Sequence, residues 1–390
     1  MGNKLFNILT LNKISKTGLE CFNENYNISD AQDAPDAVIV RSASMHDMDM
    51  PESLKAIARA GAGVNNIPVD ACTEKGIVVF NTPGANANAV KEMVLTGLFV
   101  SSRKVFPAIE WAKTLKGKGA EVGKLVEKGK SAFAGPEIMG KKLGVIGLGA
   151  IGVLVANAAV SLGMEVYGFD PYLSVDGALG LTRKIRRVKN MKDIFTNCDY
   201  ISIHVPLNDV TKGFINTEAI ENMKDEVRIL NFSRADLVDD TALIEALNKG
   251  KVAAYVTDFP TDSVIGVENV IAIPHLGAST PESEDNCAYM AALEIMDFLE
   301  NGNIKNSVNL PEIVLPRVND CRICVIHKNI PNILSPISAE VTKLGFNIEN
   351  MLSKAKKDYA YTILDVKGEV KENVLDGIKS IDGIIKIWSI

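Results

Sequence analysis

Hydrophobic positions in the first hundred residues come in short blocks set between polar and helix-forming stretches. The blocks Ala37-Val-Ile-Val40 and Ile77-Val-Val-Phe80 are short and β-branched, which predicts buried strands. Residues 53–60 carry a helical pattern that stops at Gly61. The turn Asn81-Thr-Pro-Gly84 follows the second block, and Asn88 is placed to cap a long helix running through Val100. Strands alternating with helices predict βα units and a parallel sheet.

Residues 113–130 are charged, glycine-interrupted and helical in pattern, and read as a solvated surface segment. The βα rhythm then restarts, with strands expected at 143–146, 165–169, 200–204, 228–231, 253–258 and 270–272. Six strands with crossover helices is the doubly wound pattern. Residues 143–160 are nearly all apolar, but Gly144, Gly147, Gly149 and Gly152 make them a strand, turn and helix rather than a membrane span. A long helix is expected over 281–300, ended by Asn301-Gly302. Residues 303–320 lose the pattern and hold Pro311 and Pro316, which suggests a linker. Beyond them the order is β-α-β-β-α-β, at 321–326, 333–344, 347–355, 359–366, 370–379 and 383–389: the split βαβ, ferredoxin-like arrangement.

The expected fold class is therefore α/β, with a doubly wound parallel-sheet domain (98–279) and a flavodoxin-like domain (1–97 and 280–305). A linker (306–318) then leads to a C-terminal ferredoxin-like α+β domain (319–390).

Composition narrows the function. The chain has 390 residues, 47% apolar and 23% charged, with 42 basic against 48 acidic side chains and a net charge of −6. Such a balance argues against a nucleic-acid or anionic-membrane partner. The six cysteines are scattered through a long chain, so they read as free thiols in a reducing compartment, and a cytoplasmic location is expected. Cys321 and Cys324 form a C-x-x-C inside an apolar strand, with no second pair and no histidine cluster, so no metal site is expected. The N-terminus Met1-Gly-Asn-Lys-Leu5 lacks the apolar stretch of a signal peptide.

The most specific motif is Gly147-Leu-Gly-Ala-Ile-Gly152, with a strand before it, a helix after it and Asp170 behind it. In such a turn the first glycine permits the bend, the second lets backbone approach a pyrophosphate, and the third lets helix pack on strand. The free amides and positive dipole end of the helix face the phosphates. A carboxylate at Asp170 accepts ribose hydroxyls and repels a 2′-phosphate, which points to NAD over NADP.

Chemistry collects at the carboxyl ends of strands in such a sheet. Three polar residues follow expected strand ends: Arg234 in Asn231-Phe-Ser-Arg234, Asp262 in Thr257-Asp-Phe-Pro-Thr-Asp262, and His275 in Pro274-His-Leu-Gly-Ala-Ser-Thr280. Oxidising a 2-hydroxy acid needs a base for the hydroxyl proton, a carboxylate to orient that base, and a cation for the substrate carboxylate. Imidazole suits the first role and the guanidinium fork the last. Taken singly, each of the three would be read as an ordinary surface or satisfied polar residue.

These motifs, with Arg41-Ser42, Arg59-Ala-Gly-Ala-Gly-Val-Asn-Asn66 and Asn81-Thr-Pro83, resemble the D-isomer-specific 2-hydroxyacid dehydrogenase family over essentially the whole length. The resemblance implies that Arg234, Asp262 and His275 are catalytic. It implies cofactor contacts at Gly147, Gly149, Ala150, Ile151, Gly152, Asp170, Val205, Pro206, Phe232, Ser233, Arg234, Asp258, His275, Gly277 and Ala278. Substrate contacts are implied at Arg41, Ser42, Arg59, Ala62, Gly63 and Asn86. Lys91 offers a further cation. The resemblance further implies 3-phospho-D-glycerate as substrate, whose charge such cations suit, oxidised to 3-phosphohydroxypyruvate at the entry to L-serine synthesis, and a homodimer or homotetramer. A glyoxylate or hydroxypyruvate reductase is the rival within the family, and a non-catalytic NAD-sensing corepressor the rival outside it.

The last 70 or so residues resemble an ACT domain, which implies an L-serine effector site at His327, Asn329 and Asn347. Asn329-Ile-Pro-Asn332 reads equally well as a turn that starts a helix. Two positions depart from the family pattern. Its histidine partner is usually glutamate, one methylene longer than Asp262, so here the backbone must approach more closely or a water must bridge. The family also usually has aspartate where this chain has Thr257, with Asp258 one residue later and hence on the other face of a strand.

Overall fold

The computed structural model describes residues 5–317, 321–368, 370 and 372–390. The signal-peptide reading of residues 1–4 falls outside them, as do the expected linker end at 318 and domain start at 319. The chain divides into two compact units: Met1–Asn86 with Pro281–Ile390, and Ala87–Thr280.

The first unit begins with β1 (Phe6–Leu11), β2 (Tyr26–Ser29), β3 (Ala37–Val40), β4 (Ala56–Arg59) and β5 (Val78–Asn81). They form a five-stranded sheet in the order β2-β1-β3-β4-β5, every pair parallel. β4 corrects the helix expected over 53–60. Its alanines and arginine are good helix formers, but Ala56, Ile57 and Ala58 lie fully buried between two strands, and burial on both faces overrides local propensity. The helix Pro281–Asn301 lays Ala288, Ala291, Ala292, Ile295 and Phe298 on the same core as Ile8, Ile39 and Phe80.

The second unit carries β6 (Lys142–Ile146), β7 (Glu165–Phe169), β8 (Arg186–Arg187), β9 (Tyr200–Ile203), β10 (Val227–Asn231), β11 (Val252–Thr257) and β12 (Val270–Ala272). Their order is β12-β11-β10-β9-β6-β7-β8, all parallel. Strand order reverses between β6 and β9, the switch point at which doubly wound sheets bind ligands. Segment 113–130 is not one helix. Helices Val105–Lys113 and Val122–Gly129 are separated by Gly117 and Gly119, whose φ angles of 88° and 53° interrupt the right-handed winding.

The C-terminal part of the first unit contains β13 (Cys321–Lys328), β14 (Ile348–Lys356), β15 (Tyr359–Val366) and β16 (Ile384–Ser389). They form an antiparallel sheet in the order β14-β15-β13-β16, with helices Leu334–Lys343 and Glu372–Lys379 in the crossovers. Cys321 and Cys324 enter different cores, in keeping with opposite faces of β13, so the C-x-x-C does not converge. The expected linker is packed rather than loose. Leu310 and Ile313 are buried, Ile304 bridges Ile313, and Asn309 bonds β5 through the Val79 amide at 2.9 Å. Pro311 and Pro316 disguised a segment whose apolar side chains belong to the core.

Candidate active site

The glycine turn joins β6 to the helix Ala150–Ser161. Gly147 has a φ of 92°, and a Cβ there would lie 2.4 Å from the His204 carbonyl oxygen. At Gly152 a Cβ would lie 1.9 Å from the Gly147 carbonyl oxygen, so only glycine lets the helix approach. At Gly149 a Cβ would meet nothing within 4 Å. Open space therefore lies above the first turn, where the amides of Ala150, Ile151 and Gly152 precede the first intrahelical bond, from Val153 to Gly149. This cradle suits a diphosphate. Asp170 follows β7 directly, and its carboxylate accepts from the amides of Leu148 (2.8 Å) and Tyr172 (2.7 Å). Those bonds fix the acid beside the turn and leave lone pairs for ribose hydroxyls. The residues present fit a dinucleotide.

At the ends of β9 and β10 the backbone is tied together. Ser233 Oγ donates to the Ile203 carbonyl at 2.8 Å, and fully buried Asn231 donates to the Arg234 carbonyl at 2.8 Å. Phe232 is buried in the sheet core, while Val205 is half-buried and Pro206 exposed. His204 stays neutral, because burial pushes it down to about 4, and its Nε2 meets Ser202 Oγ at 2.8 Å.

Phe259, which sequence reasoning did not single out, unites two of the expected catalytic residues. The Arg234 guanidinium stands 5.4 Å from its ring centroid, and the His275 ring packs on it at 4.6 Å. His275 is exposed and adopts a φ of 53°, in the left-handed region that a non-glycine residue seldom occupies. Its amide donates to the carbonyls of Asp258 and Ile273, both at 3.0 Å.

The third expected member is not brought in. Asp262 is exposed and makes no hydrogen bond or ion pair with His275 among the described residues. Its flanking hydroxyls, Thr261 and Ser263, both bond Asp240, which anchors the loop that carries it. Asp258, the expected cofactor contact, reaches the backbone of the His275 loop. It is buried, its two carboxylate oxygens accept from the amides of Leu276 (2.7 Å) and Gly277 (2.8 Å), and desolvation raises its pKa. Thr257 is fully buried, with its hydroxyl accepting from the Phe259 amide at 3.0 Å. Ala278 packs against the core.

In the first unit, Arg41 pairs with Glu284 at 2.6 Å, and Arg59 Nε donates to the Arg41 carbonyl at 3.1 Å. The two expected phosphate-binding arginines are therefore neighbours at the ends of β3 and β4. The Ser42 amide bonds Asn12, the Ala62 carbonyl accepts from Asn81, and Gly63 and Asn86 are half-buried. Lys91, in the second unit, is held by Asn88 at 2.6 Å.

His327 is 1% exposed, with one ring nitrogen on the Lys328 carbonyl (2.9 Å) and the other on Thr362 Oγ1 (2.8 Å). Both nitrogens are occupied and burial lowers its pKa, so the ring braces the sheet instead of facing a ligand. Asn329 is exposed and its side chain donates to the Lys357 carbonyl at 3.1 Å. Asn347 is exposed just before β14.

Comparison with known proteins places this arrangement. Residues 99–277 match the family model described as "D-isomer specific 2-hydroxyacid dehydrogenase, NAD binding domain". The chain belongs to the D-isomer-specific 2-hydroxyacid dehydrogenase family. It is similar to the D-3-phosphoglycerate dehydrogenase of Haemophilus influenzae, 31% identical over 362 residues, covering 89% of this chain and 84% of that one. It is 33% identical over 326 residues to the D-3-phosphoglycerate dehydrogenase of Bacillus subtilis, covering 79% of this chain but 59% of that longer protein. Among solved structures, the NAD+-bound 3-phosphoglycerate dehydrogenase of Entamoeba histolytica superposes with a TM-score of 0.60 at 27% identity, covering 78% of this chain and 99% of that one. No helix among the described residues is long and apolar enough to cross a membrane.

Proposed function

We propose that this chain is a cytoplasmic NAD-dependent dehydrogenase that oxidises 3-phospho-D-glycerate to 3-phosphohydroxypyruvate, the first step of L-serine synthesis. The observation that carries the reading is the convergence of Arg234 and His275 on the Phe259 ring, in the unit that holds the glycine turn. NAD, held by the turn at Gly147, Gly149 and Gly152 and by Asp170, would supply the hydride acceptor for C2 of the substrate. The His275 imidazole accepts the hydroxyl proton as the carbonyl forms. The Arg234 fork grips the substrate carboxylate and fixes the orientation of C2. Arg41 and Arg59 take the phosphate, which displaces Glu284 from Arg41. Asp262 acts on His275 through a bridging water, since no direct bond joins them. NADH formation from phosphoglycerate, compared with unphosphorylated glycerate, tests the reading. Preference for phosphoglycerate supports it, and equal turnover of the two removes the phosphate site.

Two finer assignments belong to the same reading. The chain is a homodimer or homotetramer, an assignment supported by exposed apolar side chains at Phe99, Val105, Phe106 and Ile109, and light scattering measures it. L-serine inhibits the enzyme through Asn329 and Asn347, whose amide groups suit an ammonium and a carboxylate. His327 acts there only as a buried brace. Initial rates that ignore added serine, or inhibition unchanged in Asn347→Ala, would remove that assignment.

A further inference from the structure

We infer that Asp258 is the positioning residue that holds the His275 loop in its reactive shape, an inference that rests on the dehydrogenase reading and deepens it. Asp258 follows β11, whose neighbour β12 runs into the His275 loop. The acid grips that loop at three points: its carbonyl takes the His275 amide at 3.0 Å, and its carboxylate oxygens take the Leu276 and Gly277 amides at 2.7 and 2.8 Å.

Three consecutive amides thus converge on one residue. A chain can present three successive N–H groups to one side only if it curls, and the curl appears at His275 as a φ of 53°. For a residue with a Cβ that conformation is disfavoured by about 1 kcal/mol or more, so something must hold it. Hydrogen bonds to an ionised acceptor are about twice as strong as neutral ones. Asp258 is 2% exposed, so little water competes for those amides. Space is equally tight: a Cβ at Gly277 would lie 2.8 Å from Asp258 Oδ2. The side chain is shut off from solvent and spends its two oxygens on the loop backbone, so it acts on the reaction through the backbone that carries His275.

The test has two parts. The first needs no turnover: hydrogen exchange of the peptide spanning 273–280, compared between the full-length wild type and Asp258→Asn. An asparagine can accept one of the two amides but turns its own NH2 toward the other. Exchange in that peptide should quicken at least about tenfold, while the glycine-turn peptide stays unchanged. Unchanged exchange in 273–280 overturns the inference whatever the enzyme's substrate proves to be. The second part is a double-mutant cycle with His275→Ala, run on the best substrate among phosphoglycerate, glycerate and lactate. Asp258→Asn alone should lower kcat by about 100-fold, the scale of a 1 Å misplacement, with phosphoglycerate KM and NADH affinity within about threefold of wild type. On the His275→Ala background the same change should cost less than about twofold, because the group being positioned is gone. Equal losses in both backgrounds would assign Asp258 a purely structural role and overturn the inference. Gly277→Ala presses on the same carboxylate from the other side, and should show the same non-additivity if Asp258→Asn fails to fold. Wild type that turns over none of the three substrates overturns the dehydrogenase reading, an outcome seen separately from either variant.

Discussion

Replacing Asp365 by leucine should break the most consequential buried contact of the C-terminal sheet. Arg322 and Asp365 have no exposed side-chain surface. All five donors of the guanidinium are used: Nε and Nη2 on Asp365 (2.6 and 3.0 Å), Nη1 on the Asn301 and Leu315 carbonyls (2.6 and 2.9 Å), and Nη2 on the Pro316 carbonyl (3.3 Å). One arginine therefore fastens the sheet to the end of the long helix and to the segment after it. Without Asp365 a cation stays buried with three carbonyls and no counter-charge, which costs about 3–5 kcal/mol. The double variant Arg322→Met with Asp365→Leu removes both charges but orphans the three carbonyls. At about 1 kcal/mol each it should recover only part of the loss. Trp388 is 7% exposed in this core, and the chain has two tryptophans, so a Trp111→Phe background makes urea unfolding a report on this sheet. A loss below about 1 kcal/mol in Asp365→Leu would refute the reasoning, since a removable counter-ion means the pair is not shielded from water.

Burial lifts Glu294 to about 8 from its ordinary 4.5, so the folded chain keeps a proton that the unfolded chain releases. Stability from this residue is intact below about pH 4.5 and is lost as pH rises toward 8. Glu294→Gln, which mimics the protonated form, should match wild type in unfolding free energy at pH 4 and exceed it by a few kcal/mol at pH 8, and a pH-independent difference would contradict this. Gly152→Ala places a Cβ 1.9 Å from the Gly147 carbonyl oxygen, so the helix must retreat by more than about 1 Å. NADH affinity, followed by fluorescence, should fall at least tenfold; unchanged binding would mean the helix end is not the phosphate site. Asp170→Ala should leave NADPH binding equal or better while NADH binding weakens, and parallel losses for both cofactors would contradict the ribose role.

Period and punctuation made most of the two parallel sheets legible, because buried strands such as β3 and β6 are short β-branched runs bounded by turns. β4 was misread because Ala, Leu, Lys and Arg carry helix propensity, whereas its strand state is decided by neighbours on both sides. Residues 306–317 looked like a linker because prolines break periodicity, while Leu310 and Ile313 show their burial only in three dimensions. At the site, Gly147, Gly152 and Asp170 were readable since each answers a local backbone demand. Arg234 and His275 were readable as polar residues at strand ends. The loop-holding role of Asp258 and the stacking role of Phe259 were not, for those are contacts with loops from other strands. The Arg322 partner was equally hidden, since Asp365 lies on a separate strand that only the antiparallel register brings opposite.

The most direct measurement of the central claim is NADH formation from 3-phosphoglycerate by wild type, Arg59→Ala and His275→Ala, with glycerate as the comparison substrate. Wild type should favour phosphoglycerate, and Arg59→Ala should raise its KM without changing that of glycerate. His275→Ala should lose at least about 100-fold in kcat on both substrates, the typical contribution of a positioned base. Turnover that survives His275→Ala, or a wild type indifferent to the phosphate, would contradict the account.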